Sequence, residues 1–193
     1  MKTILTAILF FLTCSVSAQE PSSSGSQTSY KITEESEPIE AGKMTFVKLK
    51  GLLVESSDAP GSPIELTVMF AFITKDNKPS VWPIVTLSFM SRASKSRFPT
   101  YNPNLIFLLD GKQIEIRGAE AAERGGDIAT SFTEPGVEWL DISVSQKTFN
   151  ELAYAKRVEM RIGQLRLHFR NNHMEALREL AKRMVSLKAQ HNN

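Results

Sequence analysis

Apolar and polar residues alternate with a period of two through most of the middle of the chain. From Ile64 to Ile73, one predicted face carries Ile64, Leu66, Val68, Phe70 and Phe72. Such alternation is typical of a strand that lies with one face in the core. Similar patterns predict strands over Met44–Val54 with a bulge or bend at Gly51, over Val81–Met90 and over Glu138–Val144. Because Pro83 has no N–H to give a ladder, we expect its strand at a sheet edge, or starting after the proline.

Two tight turns predict β-hairpins. Asp110-Gly111 is a turn dipeptide that allows positive φ, and it sets Leu105 opposite Ile116 in a strand expected to be central. Gly163-Gln164 pairs Ile162 with Leu165 in a second hairpin. This register places six apolar side chains on one face: Val158, Met160, Ile162, Leu165, Leu167 and Phe169.

The C-terminal part also contains two helical patterns. Ser145 is a predicted N-cap for a short helix that ends at Ala155. Asn172, followed by Glu175, predicts the start of a last amphipathic helix, in which Glu179 and Arg183 are spaced to interact. Its apolar stripe consists of Met174, Leu177, Leu180, Ala181, Met184 and Leu187. The predicted fold is mainly β (α+β), an antiparallel β-sandwich or bent sheet packed against these helices.

The N-terminus has the features of a secretory signal peptide. A basic start at Lys2 precedes an apolar run from Ile4 to Leu12, and small side chains precede a predicted cleavage after Ala18. The apolar run is too short for a spanning helix, which needs about 20 residues. We therefore divide the chain into a signal peptide (1–18), a flexible Ser-rich leader (19–29) and a single β-rich domain (30–193). Lipidation at Cys14 is a less favoured alternative, because Thr13 fits a lipoprotein signal poorly.

Export changes the chemistry that is available to the chain. Cys14 is the only cysteine, so cleavage after Ala18 leaves no thiol for a disulfide, a metal site or a nucleophile. We predict a periplasmic or extracellular protein without a transmembrane span after cleavage. The formal net charge is only +2 for the whole sequence. However, the segment from Lys147 onward has ten basic residues against four glutamates. We favour neutralisation of acidic and basic elements within one fold; the alternative is a partner-facing or anion-facing end.

The local signatures of several enzyme classes are absent from the sequence. It contains no G-x-S-x-G elbow, H-E-x-x-H motif, P-loop or G-x-G-x-x-G loop. We interpret His168 and His173 as solvated surface histidines rather than zinc ligands, since no spacing rule brings them together. No catalytic, metal or cofactor residue is assigned, and a non-enzymatic role is favoured over catalysis.

The second hairpin contains the candidate binding surface. In the register above, Arg161 faces Arg166, Arg157 faces Arg170, and Glu159 faces His168 on the outer side. Directly opposed like charges destabilise a strand pair, so something should compensate them. We favour compensation within the molecule, by a carboxylate on a neighbouring strand such as Glu138 or Asp141, or splaying of the charges into water. The alternative is an external anion or acidic partner. The predicted surface therefore comprises Arg157, Arg161, Arg166, His168 and Arg170.

A second basic stretch lies between Ser91 and Pro103. It contains Arg92, Lys95 and Arg97, followed by Phe98 and Tyr101. Basic and aromatic residues together can bind single-stranded nucleic acid. In an exported protein we expect instead a solvated loop, anchored in the core by Phe98 and Tyr101, and no nucleic-acid partner.

Three functions remain open at the level of sequence. We favour an exported, non-catalytic binding or interaction module with an acidic or protein partner. The alternatives are a secreted hydrolase whose active site is assembled only in space, and a structural, envelope-associated subunit. The sequence does not specify the ligand or the oligomeric state.

Overall fold

The computed structural model describes residues 30–58, 61–76, 78–93, 95–98, 105–116, 128–134 and 136–191. At 82–83, 128–134 and 190–191 it describes the backbone alone. The predicted signal peptide and the leader lie outside the described residues.

Ten strands and two helices make up the described part of the chain. The strands are β1 (Lys31–Ile39), β2 (Gly42–Ser56), β3 (Ile64–Lys75), β4 (Lys78–Arg92), β5 (Leu105–Leu109), β6 (Lys112–Ile116), β7 (Ile128–Glu134), β8 (Val137–Ser145), β9 (Val158–Ile162) and β10 (Leu165–His168). The helices are α1 (Gln146–Tyr154) and α2 (Asn171–His191). This composition confirms the mainly β fold with a short helix and a C-terminal helix.

The strands form one open antiparallel sheet. Nine of them follow the order β6-β5-β9-β10-β2-β3-β4-β8-β7, and β1 pairs with β2 outside this order. The long strand β2 joins the two ends of this sheet. One of its edges pairs with β1 over Gly42–Lys50 and with β10 at Glu55 and Ser56. The predicted bulge lies between these two contacts, where the pairing of β2 with β3 shifts between Leu49 and Leu52.

The inward faces of both sheet ends contribute to one hydrophobic core. The predicted alternation on β3 is confirmed, since Ile64, Leu66 and Val68 are fully buried. Helix α2 covers this face with six buried side chains, namely Met174, Ala176, Leu177, Leu180, Ala181 and Met184. Burial of a large aliphatic side chain stabilises a fold by about 1.5–3 kcal/mol, so this shared core is the main source of stability.

Both predicted hairpins are present with the expected registers. Leu105 pairs with Ile116 across the Asp110-Gly111 turn, and both turn residues have positive φ. Strand β5 is interior, because its other edge pairs with β9. Ile162 pairs with Leu165 across the second turn, so the predicted outward row of charged residues is also correctly registered.

The prediction for Pro83 holds only locally: the pairing with β8 begins after the proline, but the strand as a whole is interior and starts before it. Strand β4 runs through this position and lies between β3 and β8. Two features of the ladders allow this. The pairing with β8 begins only at Ile84, and the pairing with β3 shifts between Phe70 and Phe72. Pro83 therefore lies where the regular pairing with both neighbours is interrupted, and its missing N–H costs no ladder bond.

The start of α2 also differs from the sequence prediction. The helix begins at Asn171, and the N–H of Met174 donates to the carbonyl of Arg170 over 3.1 Å. The imidazole Nδ1 of His173 accepts from the backbone N–H of Arg170 over 3.1 Å. His173 thus fills the capping role that was predicted for Glu175, with a ring nitrogen in place of a carboxylate, whereas Arg170 contributes only its backbone to the cap.

The predicted pairing of Glu179 with Arg183 along α2 is replaced by contacts with β1. Glu179 accepts a 2.8 Å hydrogen bond from the hydroxyl of Tyr30, and Arg183 pairs with Glu34 at 2.9 Å. The hydrogen bond to Glu179 raises the pKa of Tyr30. These polar contacts attach the helix to the β1 end of the sheet.

Candidate binding surface and adjoining pocket

The outer face of the β9–β10 hairpin carries the predicted charge pattern. Arg161 lies opposite Arg166, and Glu159 lies opposite His168. Strand β5 flanks this row on one side, with Ile106 beside Arg161. Strand β2 flanks it on the other, where His168 lies beside Glu55. The paired positions end at Glu159 and His168, so the predicted Arg157–Arg170 pair lies beyond this ladder.

Two carboxylates compensate part of this positive charge. Glu159 accepts a 2.5 Å hydrogen bond from Arg161, and this bond lowers the pKa of the Glu159 carboxyl. Glu55 on β2 accepts a 2.5 Å bond from Arg170. Both ion pairs are substantially solvent-exposed, so each contributes little to stability. Two of the four hairpin arginines, Arg161 and Arg170, are therefore each paired with a carboxylate.

Arg166 and Arg157 are the two hairpin arginines whose side chains have no directly bonded carboxylate among the described residues, although Glu159 interacts with Arg166 electrostatically. The side chain of Arg166 is exposed, and it forms no hydrogen bond or ion pair with any residue in the described ranges. Arg157 is held through its backbone, because its N–H donates to Asp110 over 2.8 Å and its carbonyl accepts from the Asp110 N–H over 3.0 Å. Its guanidinium is left at the surface. The hairpin thus presents positive charge on a fixed backbone.

Glu138, one of the carboxylates suggested as a compensating group, has a different role. It is 4% exposed and binds the loop that follows β4. Its carboxylate accepts from the Ser96 hydroxyl over 2.5 Å, from the Arg97 N–H over 2.7 Å and from the Phe98 N–H over 3.1 Å. Phe98 is 2% exposed, which confirms that it anchors this loop, whereas Tyr101 lies outside the described residues.

Arg97 is buried, contrary to the expected solvated loop. Its side chain is 5% exposed and donates two hydrogen bonds to Asp58, at 3.0 and 2.9 Å. It also donates to the Ser56 hydroxyl and to the Ser62 carbonyl. These bonds satisfy a guanidinium that would be costly to bury alone. The hydrogen bond from Arg97 lowers the pKa of Asp58 to about 2. Arg92 and Lys95 are exposed, as expected.

A polar pocket of about 730 Å³ lies beside this cluster. Its described lining comes from three turns and the strand ends next to them. These residues are Ser57, Asp58, Ser96, Arg97, Phe98, Ile162, Gly163, Gln164 and Leu165. The pocket lies at the turn end of the β9–β10 hairpin, where the Ser57 N–H donates to the Arg166 carbonyl over 3.0 Å.

His173 is a further buried polar group, besides Glu138 and Arg97, whose burial the sequence did not predict. The structure places it 1% exposed at the start of α2, whereas His168 is exposed as predicted. The His173 ring also hydrogen-bonds the backbone of Leu53 on β2, between the segments of β2 that pair with β1 and with β10. Desolvation lowers the His173 pKa, so the neutral ring is the form that fits this site.

A second cavity, an apolar groove of about 310 Å³, lies elsewhere on the sheet. It crosses β2, β3 and β4 on the face opposite the core, and Ala71 is its smallest lining side chain. The lining residues are Met44, Phe46, Met69, Phe70, Ala71, Ile84 and Thr86. The groove shares none of these residues with the polar pocket or the basic hairpin.

Neither metal ligands nor membrane helices are found in the described parts of the chain. No three His, Cys, Asp or Glu side chains are grouped there in a way that could hold a metal ion. Within the same ranges, no helix combines the length and the apolar character needed to cross a bilayer.

Comparison of the chain with family models, with curated proteins and with solved structures finds no match. Its function must therefore be argued from the geometry of the hairpin and the pocket.

Proposed function

We propose that the protein is an exported, non-catalytic binding module whose hairpin face holds an acidic partner. The observation that carries the proposal is the exposed Arg166, which faces Arg161 across the ladder and whose side chain has no hydrogen bond or ion pair among the described residues. An anionic group between the two guanidinium groups would replace their repulsion with charge-assisted hydrogen bonds.

The position of the arginines on paired strands supports a binding role. The two strands are fixed to each other by the ladder and to the core by Met160, Ile162 and Leu167, which are buried. A charged surface on such a support is organised before its partner arrives, which reduces the entropy cost of binding. The hydrolase and the structural-subunit alternatives remain predictions.

A binding measurement with a charge-reversal variant tests this proposal. We expect the purified protein to be retained on immobilised poly-glutamate, and the double variant Arg161→Glu/Arg166→Glu to lose retention. The thermal midpoint should change little, because exposed charges contribute little to stability. A wild type that is not retained, or a double variant that unfolds at a much lower temperature, would contradict the proposal.

The matched control is Lys43→Glu/Lys78→Glu, which changes the net charge by the same amount. Both lysines are exposed and lie near the opposite end of β2 from the hairpin. This variant should keep its retention on poly-glutamate. Equal loss in the two double variants would mean that overall charge, rather than the hairpin face, attracts the polyanion.

Export is a separate part of the proposal and has its own test. It is supported by the short apolar run from Ile4 to Leu12 and the small residues that follow it. Mass spectrometry of the mature protein should find Gln19 at the N-terminus. An acylated Cys14 would replace the free module with a lipid-anchored one, and an intact Met1 would contradict export by cleavage.

A further inference from the structure

The apolar groove on the outer face of the sheet is centred on a small residue at a bulge. Ala71 pairs with Phe46 on β2. On its other side, residues 82–84 of β4 lie opposite Ala71 alone, because the pairing of β3 with β4 shifts between Phe70 and Phe72. A bulge of this kind bends the strand that contains it. The small side chain and the bent strand together leave a depression of about 310 Å³ between larger side chains.

The walls of this groove are suited to a hydrocarbon chain. Among the described lining residues, only Thr86 has a polar side chain. Met44 and Met69 are half-buried, and methionine side chains adapt to the shape of an apolar ligand. The volume lies at the lower end of the range of about 300–1,000 Å³ that small-ligand sites occupy. The groove therefore has room for one slender apolar chain.

Positive charge lies at one end of the groove, on the same face of the sheet. Lys48 pairs with Met69, which lines the groove, and its Nζ lies 5.9 Å from the centre of the Phe46 ring. The Lys48 ammonium binds Glu35, and the same carboxylate lies 3.8 Å from Lys50. One carboxylate thus serves two lysines, while a lysine ammonium has three N–H donors. Lys48 can therefore bind a further anionic group beside the apolar walls.

The opposite end of the groove is acidic. Glu37 on β1 pairs with Met44, which lines that end, and its side chain is exposed. The charge beside the groove therefore changes sign from Lys48 to Glu37. This arrangement favours one orientation of an anionic amphiphile, with its head at Lys48 and its tail extending towards Met44.

We propose that the groove is a second binding site, separate from the hairpin face, and that it holds a fatty acid. The hydrocarbon tail lies over Ala71 between the side chains of the groove wall, where its burial drives binding. The carboxylate accepts charge-assisted hydrogen bonds from the Lys48 ammonium.

A second copy of the chain fits the groove less well. A twofold contact centred on the groove would bring two identical depressions face to face. The small Ala71 side chains would then meet at the centre and leave space unfilled, whereas specific interfaces are packed as densely as protein interiors. Dimerisation through this face is therefore the alternative outcome of the test below.

Titration calorimetry of the wild type with carboxylates of increasing chain length tests the proposal without any substitution. Decanoate has two methylene groups more than octanoate, and we expect its Kd to be roughly tenfold lower, because each buried methylene adds to the affinity. Acetate, which has the carboxylate but no chain to bury, should show no measurable binding. Equal Kd values for octanoate and decanoate, or no binding of decanoate, would overturn the proposal.

Two variants locate the tail and the head. Ala71→Phe fills the depression and should raise the Kd for decanoate at least about tenfold. Its matched control is Ser88→Phe, on the same face of β4 and outside the groove lining, which should bind as the wild type does. Lys48→Gln should raise the Kd about fivefold, whereas Lys147→Gln, at an exposed position of α1, should leave it unchanged. Equal effects within either pair would contradict the assigned site.

The remaining measurements separate this site from the hairpin face and from self-association. Arg161→Glu/Arg166→Glu should bind decanoate with the wild-type Kd, and a loss of binding would place the carboxylate on the hairpin instead. Analytical ultracentrifugation of the wild type and Ala71→Phe measures their oligomeric state. A wild-type dimer that Ala71→Phe converts to a monomer, without decanoate binding, would assign the groove to a second copy and overturn the fatty-acid proposal.

Discussion

Glu138 holds the loop after β4 through bonds that a neutral side chain cannot reproduce. Its two oxygens accept from two backbone N–H groups and from the Ser96 hydroxyl, in a buried position. Arg97, which supplies one of these N–H groups, also binds Asp58 through its side chain. One carboxylate thus positions both the loop and the guanidinium that forms part of the pocket wall.

The variant Glu138→Gln should lower the free energy of unfolding by about 2 kcal/mol, because an amide NH₂ would then face backbone donors. Urea denaturation measures this change. The matched control is Glu151→Gln, since Glu151 forms a surface pair with Lys112 at 3.4 Å and its loss should cost less than about 1 kcal/mol. Similar effects in the two variants would mean that the Glu138 bonds add nothing to stability.

The buried ring of His173 should make the free energy of unfolding decrease as the pH falls. The folded-state pKa of His173 lies below its ordinary value of about 6.5, mainly because the ring is desolvated and also because Arg170 is near. The hydrogen bond to the Leu53 backbone and the charge of Glu55 raise this pKa, but by less. The stabilising contribution of the neutral ring is therefore fully present above about pH 6.5 and is lost as the pH falls below it.

We expect the wild type to lose more stability between pH 7.5 and pH 5 than the variant His173→Gln, which cannot titrate there. Denaturant unfolding at several pH values measures the difference, and His168→Gln, at an exposed position, should follow the wild type. Parallel curves for the wild type and His173→Gln would show that the ring has the same pKa in the folded and unfolded states and would contradict its burial.

The sequence pattern identified some of the residues that make these contacts, but not which residues contact each other. The Arg97 loop was identified as basic, and its anchor Phe98 was predicted correctly. Glu138 lies 41 residues away in the chain, and nothing in its surroundings in the sequence indicates that it would bind this loop. The burial of His173 was missed for the same reason, because Leu53 and His173 meet only when α2 packs on β2.

At the scale of elements, local alternation and turn chemistry were sufficient to predict the two hairpins and their registers. Gly163-Gln164 connects two strands whose apolar residues face the core in only one register. Strand β5 is apolar on both faces, so the Asp110-Gly111 turn sets the register of its hairpin. The position of the Pro83 strand was not predictable in this way. Its interior location depends on where the β3 and β8 ladders are interrupted, which is a property of neighbouring strands.

The turn between β1 and β2 has the most restrictive glycine among those whose surroundings the structure describes. Gly42 has φ +132°, and a Cβ there would lie 2.3 Å from the Thr74 carbonyl oxygen. We expect Gly42→Ala to destabilise the protein by at least about 1 kcal/mol more than Gly111→Ala. Gly111 also has positive φ, at +86°, but a Cβ there meets nothing within 4 Å.

Thermal and urea unfolding of the two alanine variants measure this difference. Since both positions carry backbone strain, the comparison isolates the clash with Thr74. Equal destabilisation would show that the β1–β2 turn shifts freely and that the close approach of β3 has no energetic consequence.

At the scale of the whole molecule, the hairpin surface and the polar pocket depend on contacts far apart in sequence. Strand β2 brings Glu55 beside the hairpin, and the turn after it supplies Ser57 and Asp58 to the pocket. The candidate residues Arg157, Arg161, Arg166, His168 and Arg170 were identified from the register of one local hairpin. The pocket was not, because its three turns are brought together only by the order of the strands.

The central claim is that the charge of Arg166 is available to a partner and contributes little to the fold. The most direct measurement compares Arg166→Glu with the wild type, recording the Kd for poly-glutamate and the free energy of unfolding on the same samples. We predict a Kd at least tenfold higher and an unfolding free energy within about 0.5 kcal/mol of the wild type. An unchanged Kd, or a loss of stability of more than about 2 kcal/mol, would contradict the account.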